Sequence, residues 1–265
     1  MIRVLLVLLT VALLAAGAAG GGQAAPPSRS AVDAAATFPP GPEGALLAHA
    51  RKLLDHTATL LPENVGGTLS CSSCHIAAGT TPSAFSFLGT YATYPQYNKR
   101  AHRFITLQDR IEECFLYSMN GKALAYSSSE MIAITAYIAW LSRGAVVGVG
   151  FPAAAMPQIA HVPAPDAATG AKLYAAKCTA CHGATGAGSG TAIPPLWGAK
   201  SWNTGAGMHR VDTLASFVRA YMPLGAAHLS TGEAVDIAAY VLRQPRPRFH
   251  GSAPQIFQPE PARFF

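Results

Sequence analysis

The chain has 265 residues, half of them hydrophobic and 12% charged, with a formal net charge of +6. That composition is globular and excludes a disordered or collagen-like chain. The basic balance is modest, suited to small anions or an acidic partner, and no nucleic-acid-binding motif accompanies it.

In chain order, the first feature is an export signal over residues 1–25. Arg3 is followed by an apolar run from Val4 to about Ala16 and then by small residues, with cleavage expected between Ala19 and Ala25. No later stretch approaches the roughly 18 apolar residues of a membrane span. A soluble protein of the periplasm, with no membrane span after cleavage, is the expectation.

The remainder reads as one plan used twice. In residues 40–144, GALLAHARKLLDHT (44–57) has helical apolar spacing and CSSCH follows at 71–75. A turn-rich stretch leads to a second helix around 107–119 and a third in SSEMIAITAYIAWLSRG. Residues 145–165 are rich in Pro and Gly and read as an extended surface linker. In residues 166–245, GAKLYAAKCTACHG joins helix and motif, then DTLASFVRAYMP and TGEAVDIAAYVLRQP supply the later helices. Ser127 with Glu130, and Ser230 with Glu233, are read as capping boxes. The tail, 246–265, has too many prolines for regular structure, and its phenylalanines are expected to pack on the body.

CSSCH and CTACH have the c-type haem attachment spacing, in which two thiols bond the porphyrin and the next histidine ligates iron. Zinc sites pair such motifs about 12 to 20 residues apart, whereas Cys71 and Cys178 are 107 apart. Two covalently bound haem c are therefore expected, on Cys71 and Cys74 with His75, and on Cys178 and Cys181 with His182. The fold class expected is all-α, two tandem class I cytochrome c-like domains, each wrapped round one haem.

A sixth ligand follows from distance along the chain. Met222 ends a helix before Pro223, 40 residues after His182; Met208, 26 residues after it, is the competitor. A carbonyl of PPLWG (194–198) is available to orient His182. Counting 39 residues from His75 reaches Cys114, the one cysteine outside the two motifs. It stands where the sister half has its methionine, although a buried structural cysteine or ligation by Met119 are alternatives. Thiolate ligation lowers a haem potential and methionine raises it. A sulfur nucleophile able to leave iron suits sulfur-compound chemistry. On a helix Arg110, Cys114 and Ser118 share one face, with Lys99 and Arg100 just upstream. The competing reading pairs Arg110 with Glu113 at the surface.

The chain resembles the dihaem thiosulfate dehydrogenase family over roughly residues 40–245. The segments that carry the resemblance are LSCSSCHIAAG, YPQYNKR, RIEECFLYSMNGKAL and EMIAITAYIAWL, then PPLWG, NTGAGM and FVRAYMPLG. The resemblance implies periplasmic coupling of two thiosulfates to tetrathionate, reversible in some members. It implies a His/Cys active-site haem, a His/Met exit haem, and Arg100, Arg110 and Ser118 beside Cys114 as catalytic residues. Tyr221 stands where relatives carry lysine or asparagine before the methionine, so a lysine ligand switch is not available. The electron acceptor expected is a small c-type cytochrome or another periplasmic carrier. Rival readings are a pure dihaem carrier, which two His/Met sites would have favoured, a Cys-ligated subunit of a sulfur-oxidising complex, and a haem sensor.

Overall fold

Each half packs its first helix against its last. A computed structural model describes residues 37–190 and 192–251; the expected export signal and the end of the tail lie outside the described residues. The first half runs α1 (Pro42–Asp55), α2 (Thr57–Leu60), strands β1 (Gln96–Asn98) and β2 (Arg103–Ile105), α3 (Leu107–Glu113), a π-helix (Cys114–Ser118) and α4 (Ser129–Trp140). The second runs α5 (Ala167–Lys177), α6 (Thr179–His182), α7 (Val211–Tyr221) and α8 (Thr231–Arg243).

Pro42 starts α1, and Leu47, Ala50, Leu53 and Leu54 recur on one face and are buried against α4, which contributes Met131, Ile134, Tyr137 and Ile138. Fully burying side chains of this size contributes about 1.5–3 kcal/mol each before entropy is counted. In the second half α5 crosses α8 at Gly170, where a Cβ would stand 1.9 Å from the Asp236 carbonyl oxygen. Only glycine permits that approach. Tyr174, Trp197 and Tyr240 close the same crossing, with ring centroids 5.1–5.9 Å apart.

Two local readings need correction, and the helical class holds with one small hairpin, in which β1 and β2 pair antiparallel with Tyr97 opposite Phe104. Its loop, Lys99 to His102, lacks glycine. Asn98 Oδ1 instead accepts from the Arg100 and Ala101 amides, and His102 takes the left-handed position at φ 52°. The helix around 107–119 is α only to Glu113; Met119 N–H then bonds the Cys114 carbonyl, the i+5 pattern of a π-helix. The N-cap of α4 is Ser128, accepting from Met131 N–H at 3.1 Å, rather than Ser127. Glu130 therefore falls at N2, one position short of the reach-back that completes a capping box. At α8 the Ser230–Glu233 box is present. Replacing Ser128 by alanine is expected to lower unfolding stability by about 1 kcal/mol in a denaturant titration. Ser127→Ala should stay within about 0.5 kcal/mol of the parent; the reverse order would restore Ser127 as the cap.

The halves meet at several points. Asn203, 2% exposed, donates through Nδ2 to the Leu116 carbonyl (2.8 Å) and to Asn120 Oδ1 (3.1 Å). The connecting segment makes a turn closed by Val146 and Gly150, a 3-10 turn at Pro152–Ala154, and buries Ala154 and Met156. The start of the tail lies on the body: the Phe249 ring meets Tyr117 edge-on at 4.8 Å, and Arg246 donates to the Leu196 and Val241 carbonyls.

Candidate functional site

One cavity gathers most of the first half's chemistry. Cys71, Cys74 and His75 line it, and so do Arg110, Cys114 and Ser118. Leu107, Ile111, Phe115, Ile134 and Ile138 make much of its apolar wall. Cys71 is placed by buried Thr57, whose Oγ1 accepts from the Cys71 amide (3.1 Å) and lies 3.4 Å from its Sγ. All five cysteines are free of disulfides.

His75 Nδ1 lies 2.5 Å from the Phe85 carbonyl oxygen, which accepts its proton and leaves Nε2 with a lone pair. Burial lowers the His75 pKa to about 4, so the ring is neutral. Its carbonyl partner was not legible in the sequence, because Phe85 sits in an irregular loop. His182 repeats the arrangement, with Nδ1 3.2 Å from the Pro194 carbonyl of PPLWG. Two thiols, a neutral imidazole with a free nitrogen, and a further sulfur on an apolar cavity suit a covalently attached haem. In the second half Cys178, Cys181 and His182 stand at the start of and within α6, and Met222 is the residue where α7 ends. Met208 instead lines the first half's cavity, with Gly207 and Thr213.

Cys114 begins the π-helix, with its N–H bonded to the carbonyls of Arg110 and Ile111. Arg110 Nη1 reaches Cys114 Sγ at 3.3 Å and Glu113 Oε2 at 3.5 Å. The Glu113 contact expected of an ordinary surface pair is therefore present, but Glu113 is buried and its other oxygen accepts from Asn98 Nδ2 at 3.0 Å. Hairpin and helix thus hold Arg110 against the sulfur. The Cys114 sulfur beside it, the largest influence on Arg110, raises the guanidinium's pKa and keeps it protonated. Tyr94 lines the same cavity, and burial pushes its phenol up to about 12, keeping it a neutral donor. Its place in YPQYNKR was the only sequence signal for it.

Arg100 is not brought to the cavity wall. It is exposed, donates to the Gly205 carbonyl at 2.7 Å, and lies 4.4 Å over the Tyr117 ring, tying the hairpin to the second half. Lys99 is exposed on the same loop. No helix among the described residues is long and apolar enough to cross a membrane.

Comparison with known proteins follows the same division. A family profile described as SoxA/TsdA, cytochrome c domain, matches residues 63–147, and one described as cytochrome c oxidase, cbb3-type, subunit III, matches 165–241. A thiosulfate dehydrogenase of Allochromatium vinosum is 43% identical over 228 residues, 82% of this chain and 84% of that one. One from Psychrobacter arcticus is 42% identical, covering 80% of this chain and 67% of its own. Among solved structures, the as-isolated thiosulfate dehydrogenase TsdBA of Marichromatium purpuratum superposes with a TM-score of 0.74 at 36% identity. That match covers 83% of this chain and 49% of that longer one.

Proposed function

We infer function from one premise: this chain belongs to the thiosulfate dehydrogenase family, and it carries two haem c in two cytochrome c domains. The reading is a periplasmic thiosulfate dehydrogenase that couples two thiosulfates to tetrathionate and is reversible when the acceptor's potential allows. The observation that carries it is Cys114 Sγ, in the cavity of the first CxxCH motif, 3.3 Å from a protonated arginine. His75 and Cys114 hold the first haem in this scheme, and His182 and Met222 the second.

The residues divide the work as follows. Arg110 draws the thiosulfate dianion to Cys114 and offsets the repulsion between anions, in a cavity whose apolar wall strengthens that attraction. Ser118 and Tyr94 offer hydroxyl donors to the sulfonate oxygens. The sulfane sulfur of one thiosulfate bonds to the Cys114 sulfur, giving Cys–S–S–SO3⁻ and releasing two electrons. Haems held by Cys71, Cys74 and His75 and by Cys178, Cys181 and His182 would supply the two one-electron acceptors, and a carrier protein would be the final one. A second thiosulfate attacks the sulfane sulfur, forms the central S–S bond of tetrathionate, and expels Cys114 as the thiolate. No proton moves and no atom is left over. Arg100, tied to Gly205, contributes positive potential at longer range.

The test is thiosulfate-dependent reduction of ferricyanide by the purified, haem-loaded chain at mildly acidic pH. The expected result is one tetrathionate and two ferrocyanides for every two thiosulfates consumed. No turnover in a preparation with two intact haems would sink the enzyme and leave an electron-transfer subunit in its place.

A further inference from the structure

A line of rings joins the loop that orients His75 to the residue before Met222. The Phe85 carbonyl accepts from His75 Nδ1, while its ring lies 6.1 Å from the His75 ring, edge to face. On its other side Phe85 stacks on Phe217 of α7, with centroids 5.6 Å apart and planes 16° apart. Phe217 stacks in turn on Tyr221, one helical turn later, at 5.8 Å and 29°. The Tyr221 hydroxyl then donates back to the Pro82 carbonyl of the first half. Phe85 adopts φ 48°, a left-handed conformation that is costly for a bulky residue. The conformation points its carbonyl at His75 while its ring lies on Phe217.

Met222 needs such support. Its N–H makes the last helical hydrogen bond of α7, to Val218; its backbone is already extended at φ −110°, ψ 141°, and Pro223 has no N–H to offer beyond it. Helix ends of this kind fray, and a neutral thioether is a ligand that competitors displace when its sulfur wanders. We propose that Tyr221 and Phe217 are positioning residues for Met222. They brace the end of α7 against the first half, so that the sulfur is presented to the second haem already ordered. The proposal rests on the reading of Met222 as that haem's sixth ligand. It follows that the loop orienting His75 and the segment bearing Met222 share one rigid element.

The experiment uses the haem-loaded full chain in its ferric form, following the long-wavelength methionine–iron charge-transfer band during titration with imidazole. In Tyr221→Leu the imidazole concentration that bleaches half the band should fall at least tenfold. In Tyr221→Phe, which keeps the stack and loses the hydrogen bond to Pro82, it should fall about threefold, and Phe217→Leu should fall between the two. The reduction potential of the Met-ligated haem should drop in the same order. Midpoints within twofold of the parent in both Tyr221 variants, with two haems bound, would overturn the brace. Met222→Ala distinguishes the two readings. Loss of the band there with unaffected Tyr221 variants removes only the brace, whereas a band that survives Met222→Ala removes the ligand assignment beneath it.

Discussion

Replacing Cys114 by glycine should reduce thiosulfate-dependent ferricyanide turnover at least about 10³-fold while both haems stay attached, because removing a nucleophile abolishes the covalent step rather than weakening binding. Haem content should hold, since the four attachment thiols Cys71, Cys74, Cys178 and Cys181 are untouched. The decisive companion is Cys114→Met. Methionine restores a sulfur donor and raises the potential of the first haem, yet its thioether already carries two carbons and could bond the sulfane sulfur only as a sulfonium, not as a disulfide. Cys114→Met is therefore expected to be as inactive as Cys114→Gly. Near-parent rates in either variant, with tetrathionate as product, would show that the sulfur serves only as a ligand and would end the covalent scheme.

Arg110→Met should cost about 10²- to 10³-fold in kcat/KM, the usual loss when one preorganised donor is removed from a developing anionic centre. Two effects combine. The Nη1 contact to Cys114 Sγ at 3.3 Å disappears, and buried Glu113 loses its arginine while keeping the hydrogen bond from Asn98. Arg110→Lys should recover part of the loss, since a lysine supplies the charge but not the rigid planar group whose Nη1 reaches both Cys114 and Glu113. Raising ionic strength should slow the parent more than Arg110→Met, because screening acts on an attraction the variant has already lost. Steady-state kinetics against thiosulfate at two salt concentrations measures both. A value of kcat/KM for Arg110→Met within threefold of the parent would remove the arginine from substrate recruitment.

What was legible in the sequence was whatever depends on short range and on the covalent chemistry of the cofactor. CxxCH spacing marked both motifs without reference to tertiary structure, and the matched spacings after His75 and His182 pointed to Cys114, which lines a cavity with His75, and to Met222, where α7 ends. The same-face reading of Arg110, Cys114 and Ser118 brought together three residues that do line one cavity, although the helix is π rather than α from Cys114 onward. A π-turn has no propensity signature, because it depends on one carbonyl reaching one residue further. Ser127 and Ser128 look alike in sequence, and the choice between them depends on where the chain enters α4. Phe85 and Tyr94 act from irregular loops, and Asn203 and Met208 act across the boundary between halves, where no local pattern announces a partner. Arg100, a cation near the site in sequence, donates to Gly205 and lies over Tyr117, contacts across the boundary between halves that no local pattern announces.

The cavity that holds Cys114 is completed from outside its own half. Gly207, Met208 and Thr213, all beyond the linker, form part of its wall. The duplicated plan has therefore ceased to be modular. A fragment ending near residue 144 keeps Cys71, Cys74, His75 and Cys114, yet it opens one side of their cavity to water. Solvent exposure is one of the settings of a haem's potential. On the proposed function, the redox character of the first haem is thus partly written in the sequence of the second domain, and substitutions there would reach the chemistry without touching thiosulfate.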